Sequence, residues 1–318
     1  MRRLRPGRLG LAAGLVSLCL CVAGVAAADC PQADAEALGW LEKMSRSLNQ
    51  VNYHGVVTFQ RGSDDLQVMQ VSHSVANGTT SEQLTQLTGQ GARVVRRKHP
   101  LECVHPGHKL LQVGEQLQAG QCGIAESYRF AVAQGERVAG RKSVTIRIEP
   151  RDMYRYGYRM ELDRKTGLLL KTVTLGRGNR VLEKFQFADL SYSAQMPEGA
   201  EASLVHEAHH PHPGAAEADR LSAQAWSVNW LPHGFTPTEA HNDYAGRRTF
   251  TDGLAVFSVF IEELQREIRP GEGVARQGST TSYTRGMRLG EQPLLVTVVG
   301  EVPVNTARMV ADSIAWVP

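Results

Sequence analysis

Residues His206-Glu207-Ala208-His209-His210 spell H-E-x-x-H. At that spacing two histidines share a helix face and hold Zn²⁺ while the glutamate activates water. The following residues argue against that chemistry. Pro211 disfavours helical geometry at His210, and Pro213-Gly214 come at once, so a ligand there would sit on a fraying end. The flanking Ala, Gly, Pro and Glu read as a solvated, His-rich connecting segment. The chain contains no G-x-S-x-G, no Walker loop, no C-x-x-C and no G-x-G-x-x-G. The sequence therefore predicts a protein that is not an enzyme, with no catalytic residue, no metal site and no cofactor.

Two basic clusters could do other work. Arg93, Arg96, Arg97, Lys98 and His99 lie together, and Arg151, Arg155 and Arg159 alternate with Tyr154, Tyr156 and Tyr158. Such a mixture can stack bases, meet lipid phosphates or an acidic peptide, or serve as the solvated outer face of a strand.

The compartment decides among these. Arg2, Arg3, Arg5 and Arg8 precede an apolar run from Leu9 to Ala28 that ends in Ala26-Ala27-Ala28, so residues 1–28 are expected to be a signal peptide cleaved before Asp29. Export makes nucleic acid an improbable partner and places the protein in the periplasm. The whole chain carries +3, and those four arginines leave the remainder near −1, so bulk charge lends nucleic-acid binding no support. Of five cysteines, Cys30, Cys103 and Cys122 survive cleavage. Cys103 and Cys122 either close a loop, worth about 3 kcal/mol if unstrained, or stay as two buried thiols.

The elements that would position a site are mostly strands. Leu38, Leu41, Met44 and Leu48 recur at helical spacing after Asp34, which predicts one amphipathic helix. Tyr53–Gln60 and Leu66–Val75 read as strands, the latter leading into the hairpin signal Asn77-Gly78. Val144, Ile146 and Ile148 alternate with Thr145, Arg147 and Glu149. Arg159–Leu162 and Leu168–Leu175 flank a turn, and Val181–Phe187 follows another. Such strands make an antiparallel sheet curving around a core. The fold class expected is α+β: an unclosed antiparallel β half-barrel with covering helices over residues 29–195, a His/Pro-rich linker over 196–222, and a smaller α+β domain over 223–318. In the second domain two to three strands, Leu254–Glu262 and Leu294–Val299 among them, accompany a helix from about Asn305 to Ile314.

The block Val138–Leu190, VAGRKSVTIRIEPRDMYRYGYRMELDRKTGLLLKTVTLGRGNRVLEKFQFADL, resembles the RseB/MucB family of periplasmic sigma-E regulators. WLPHGF at 230–235, FTDGLAVFSVFIEEL at 250–264 and VTVVGEVPVNTARMVADSI at 296–314 continue the likeness in order. The likeness weakens over Ser63–Gly135, and the His-rich linker and Cys30 depart from it. It implies a first domain similar to lipoprotein carriers. It also implies binding to the periplasmic part of a membrane anti-sigma factor, which is shielded from proteolysis until lipopolysaccharide or lipoprotein acyl chains release it. The sequence leaves a homo-oligomer open. A plain lipoprotein or lipid carrier would explain the sheet but leave the second domain without a task, and a zinc hydrolase rests on the broken motif.

On that reading Val57, Phe59, Val144, Ile146, Ile148, Met160, Leu162, Phe185 and Phe187 line a hollow that admits an acyl chain. Each buried methylene would contribute about 0.8 kcal/mol. Arg247, Arg248, Phe250, Phe257 and Phe260 are the expected partner-binding residues, because Arg and aromatics favour interface centres. Phe257 and Phe260 fall on opposite strand faces, so at least one is expected in the core.

Overall fold

The computed structural model describes residues 35–64, 66–76, 79–88, 93–100, 123–192, 226–238, 246–264, 271–289 and 292–316. The expected signal peptide, Cys30, Cys103, Cys122, the Asn77-Gly78 turn and the H-E-x-x-H motif lie outside the described residues.

The first module opens with helix α1 (Ala35–Gln50), whose Ala37, Leu41 and Met44 recur on one face and are buried. Nine strands follow: β1 (Tyr53–Arg61), β2 (Gln67–Ala76), β3 (Thr79–Gln86), β4 (Arg93–Pro100), β5 (Tyr128–Val138), β6 (Arg141–Pro150), β7 (Gly157–Asp163), β8 (Leu169–Leu175) and β9 (Val181–Ser191). They form one antiparallel sheet in the order β4-β3-β2-β1-β9-β8-β7-β6-β5. Two meanders, β1–β4 and β5–β9, are thus zipped together where β1 pairs with β9. Because β4 and β5 are the ends and do not pair with each other, the sheet is an unclosed half-barrel. Bulges at Ala188 of β9, opposite Val56/Val57, and at Leu170 of β8, opposite Glu161/Leu162, add local bends. Gly55 permits the tight approach to β9, since a Cβ there would stand 2.2 Å from the Asp189 carbonyl oxygen.

The second module holds a ribbon of β10 (Trp226–Val228) and, at its C-terminal end, β17 (Ile314–Trp316), together with a six-stranded sheet and one helix. The sheet comprises β11 (Thr236–Pro237), β12 (Arg247–Thr251), β13 (Val256–Glu263), β14 (Glu272–Gln277), β15 (Thr280–Leu289) and β16 (Gln292–Gly300), in the order β11-β12-β13-β16-β15-β14. Helix α2 (Val304–Asp312) lies on it with Ala307, Val310 and Ala311 buried. The sequence reading of two to three strands falls short of these six. β14 (EGVARQ) and β15 (TTSYTRGMRL) carry too few apolar residues to announce themselves, because their neighbours rather than their own composition hold them in the sheet.

Each module has its own core. Under α1, Val144, Ile146, Ile148, Met160 and Leu162 pack with Ile124, Tyr128, Tyr156, Tyr158 and Leu182, and Leu254 joins them from the second module. A neighbouring cluster gathers Val57, Val138, Leu168, Leu170, Phe187 and Leu190. The second module packs Phe235, Phe250, Phe257, Val259, Ile261, Tyr283, Val296 and Val298 against α2.

Candidate functional site: a half-exposed apolar face and a bonded joint between modules

Cross-strand register decides which side chains share the concave face. Val57 stands opposite Phe187 on β9 and Met69 on β2, and Phe59 opposite Phe185. Val71 stands opposite Leu84 on β3. These residues therefore continue, strand by strand, the apolar face that α1 covers farther along the sheet. Aromatic contacts run across it: Phe185 meets Phe187 edge-on at 5.6 Å, Phe187 meets Tyr53 at 5.8 Å, and Tyr53 stacks on His73 at 5.0 Å. His73 is held by the Val51 carbonyl at 3.0 Å from Nδ1. Burial first, then the charges of Glu82 and Tyr192, push the Tyr53 hydroxyl well above its ordinary pKa, so it stays neutral. At the end of this face the Arg61 guanidinium caps the Phe59 ring at 4.9 Å and lies 3.8 Å from Glu183.

The nine residues expected to line a hollow divide sharply. Val144, Ile146, Ile148, Met160 and Leu162 are almost wholly inaccessible, because Ala37, Leu41 and Met44 of α1 fill the space above them. Val57 and Phe187 are buried in the adjoining cluster. Phe59 and Phe185 alone keep a half-exposed face, alongside Met69, Val71 and the exposed Leu84, which sequence reasoning did not single out. The open part of the concave face is therefore shifted toward β1, β2, β3 and β9. Met69 and Val71 alternate within the strand read at Leu66–Val75, and that period was the signal that could have found them.

The expected partner residues also divide. Phe250 pairs with Phe257 across β12 and β13, and the two rings stack at 5.4 Å inside the second core. Neither offers a surface to a partner, because their strand positions face α2. Of Phe257 and Phe260, the former is the core residue. Phe260 is half-buried on the opposite face beside its cross-strand partner Arg247, which is exposed. Arg248 lies 4.2 Å over the Trp226 ring, where burial lowers its pKa.

The Arg/Tyr cluster, which the sequence left between a ligand surface and a solvated face, instead joins the modules. The Arg155 guanidinium bonds Asp252 Oδ2 at 2.8 Å, the His233 carbonyl at 2.5 Å and Asp152 at 3.1 Å. The faces of Tyr128 and Phe235 flank it at 5.3 and 5.1 Å. Asp252 also accepts from the Tyr128 hydroxyl at 2.8 Å and from the amides of Leu254 and Ala255. Burial, then the Asp252 and Tyr158 charges, push the Tyr128 pKa far up, which keeps its proton available for that bond. Farther along, Thr306 Oγ1 donates to the Tyr154 carbonyl at 2.8 Å, Tyr156 to the Val302 carbonyl at 3.2 Å, and the Ser279 amide to Glu183 at 3.1 Å. Tyr154 meets Trp230 edge-on at 5.1 Å. Arg159 remains exposed, and the side chains of the Arg93–His99 cluster lie outside the described residues. Among the described residues no group of three or more His, Cys, Asp and Glu could hold a metal ion.

Comparison with known proteins matches both modules. The MucB/RseB N-terminal domain matches residues 36–205 and the MucB/RseB C-terminal domain residues 220–315. The sigma factor AlgU regulatory protein MucB of Pseudomonas aeruginosa is 33% identical over 94% of this chain and 96% of its own. The sigma-E factor regulatory protein RseB of Haemophilus influenzae is 25% identical over 95% of this chain and 96% of its own. A crystal structure of MucB in complex with MucA(peri) superposes with a TM-score of 0.66 at 32% identity, covering 88% of this chain and 98% of that one. A crystal structure of MucB gives 0.59 over the same shares. With both halves matched in order and the same two-module fold, the chain belongs to the MucB/RseB family.

Proposed function

We propose that this protein is an exported, periplasmic negative regulator of an envelope-stress sigma factor. It binds the periplasmic part of a membrane anti-sigma factor, shields it from proteolysis and lets go when an acyl chain enters the hollow. The observation that carries the reading is family membership across both modules, with a relative at 32% identity crystallised on MucA(peri). The half-exposed Phe59, Phe185, Met69 and Val71, next to Leu84, supply an apolar face of the kind an acyl tail would cover, with Arg61 at its rim. Lipid can lower partner affinity only by favouring a state that binds the partner less well.

The test is co-purification of the exported chain with the periplasmic fragment of a membrane anti-sigma factor from the same organism. A protease digest of that fragment should slow in the presence of this protein and recover when lipopolysaccharide is added. No co-purification would sink partner binding, and protection unchanged by saturating lipid would sink the lipid release alone. A plain lipid carrier, the second reading, draws on the same open face. It predicts lipid transfer between acceptors with no effect on the anti-sigma fragment.

A further inference from the structure

Arg61 ends strand β1 at the rim of the half-exposed apolar face, and its guanidinium stands between two unlike neighbours. On one side it lies 4.9 Å over the Phe59 ring, which forms part of that face. On the other it lies 3.8 Å from Glu183 Oε1, across the pair of β1 and β9. That separation is too long for a hydrogen bond. Among the described residues the Arg61 side chain donates none, and 36% of it is exposed. A planar fork of donors is thus open to solvent beside an apolar surface.

Glu183 also faces the second module. Its side chain is only 14% exposed, and Oε1 accepts from the Ser279 amide at 3.1 Å, in the turn between β14 and β15. That turn is shaped to admit it: Gly278 is at φ +62°, and a Cβ there would overlap Glu183 Oε1. Among the described residues Arg61 is the one cation within ion-pairing distance of this carboxylate. Burial first, then the Glu183 charge, raise the pKa of Glu301, so a second-module carboxylate feels Glu183 across the boundary. One short path, from Phe59 through Arg61 and Glu183 to Ser279, therefore leads from the apolar face into the second module.

We propose that Arg61 binds the anionic head, phosphate or carboxylate, of an acyl chain lying on Phe59 and Phe185, and leaves Glu183 to do so, loosening the hold of Glu183 on the Gly278-Ser279 turn. The proposal rests on the acyl-chain reading above and names how occupancy of that face reaches the second module. An oxyanion offers the guanidinium two parallel N–H···O bonds, which the 3.8 Å contact with Glu183 does not. Drawing Arg61 away leaves a largely buried carboxylate without its counter-charge, and a stranded charge is costly there. The carboxylate then turns toward water, and the Ser279 amide loses its acceptor. The coupling is reciprocal, so breaking the Arg61–Glu183 link must strengthen binding of the head.

Decyl phosphate and decyl maltoside share a chain and differ in head. Titrated below their micellar concentrations into the exported full-length chain, with inorganic phosphate as the head alone, they test this. Wild type should bind decyl phosphate about tenfold more tightly than decyl maltoside. Arg61→Gln should erase that preference while keeping the affinity for decyl maltoside, and Arg61→Lys should keep part of it. Glu183→Gln should bind decyl phosphate several-fold more tightly than wild type, because Arg61 is no longer shared. Hydrogen exchange of the Ser279 amide reads the other end of the path. Decyl phosphate should speed it about tenfold in wild type, and decyl maltoside should leave it unchanged. In Arg61→Gln it should answer to neither. If neither decyl probe binds, the acyl-chain reading fails and this proposal with it. Equal binding of the two by wild type, or a preference that survives Arg61→Gln, overturns this proposal and leaves the acyl-chain reading standing. A preference lost in Arg61→Gln with Ser279 exchange unmoved by decyl phosphate overturns it as well. So does inorganic phosphate binding as tightly as decyl phosphate, since the site would then read free phosphate alone.

Discussion

The Arg155 guanidinium is sealed from water and takes its bonds from Asp252, Asp152 and the His233 carbonyl. Losing one partner of such a pair strands the other charge in a poorly polarisable surrounding. Asp252→Ala should therefore cost about 3–5 kcal/mol, read as a lowered urea midpoint with an unchanged slope. A shift below about 1 kcal/mol would mean that water reaches the pair. A second buried carboxylate, Asp163, reports on pH. Burial raises its pKa, but the Arg141 guanidinium, the Lys165 and Thr166 amides and the Tyr192 hydroxyl outweigh this and hold it below the ordinary carboxylate value. A lowered pKa contributes stability above the unfolded-state value of about 3.9 and loses it as pH falls toward the folded-state value. Chemical denaturation at pH 7 and at progressively acid pH should show that loss. Asp163→Asn should be less stable at pH 7 and should lose less on acidification; an identical acid loss in the variant would remove Asp163 as its source.

At the scale of elements, α1 makes half of the sheet into a core and leaves the other half to strands alone. Leu41, at 1% exposure, sits over Val144, Ile146 and Leu162. Leu41→Ala should destabilise by about 2–5 kcal/mol through lost burial and the cavity left behind. Phe185→Ala removes a half-exposed ring and should cost less, while reducing uptake of a fluorescent fatty-acid probe more than Leu41→Ala does. Equal probe binding by wild type and Phe185→Ala would move the candidate site elsewhere. The sequence announced α1 and strands such as β6 clearly, because their apolar residues recur at the period of their own geometry. β5 was missed although Tyr128, Phe130 and Val132 alternate on its inner side and pack on the first core, because the run is only three residues long and Arg129, Ala131, Ala133 and Gln134 around it are exposed.

For the whole molecule, the contacts between Arg155 and Asp252, Tyr156 and Val302, Tyr154 and Thr306, and Glu183 and Ser279 run along one boundary. Leu254 extends the first core across it. The two modules should therefore melt together in a single calorimetric transition, which Asp252→Asn should move to lower temperature without splitting it. Two transitions in the wild type would show that the boundary adds little to either module.

Residue order alone determined a good deal: the α+β class, the long helix, the hairpins around β7 and β8, the division into two units, and the absence of familiar nucleophile motifs. These are local properties, since a period of 3.6 or 2 and a turn dipeptide are readable from neighbours in the chain. What lay beyond reach depended on separations of many residues. Nothing near Val144 says that Leu41 will fill the space above it, and nothing near Arg155 says that Asp252 will receive its charge. Likewise nothing within EGVARQ says that it ends a sheet. Burial, charge pairing and edge position are decided by which distant segments meet, so they belong to the tertiary structure, and with them the half-exposed apolar face at Phe59 and Phe185.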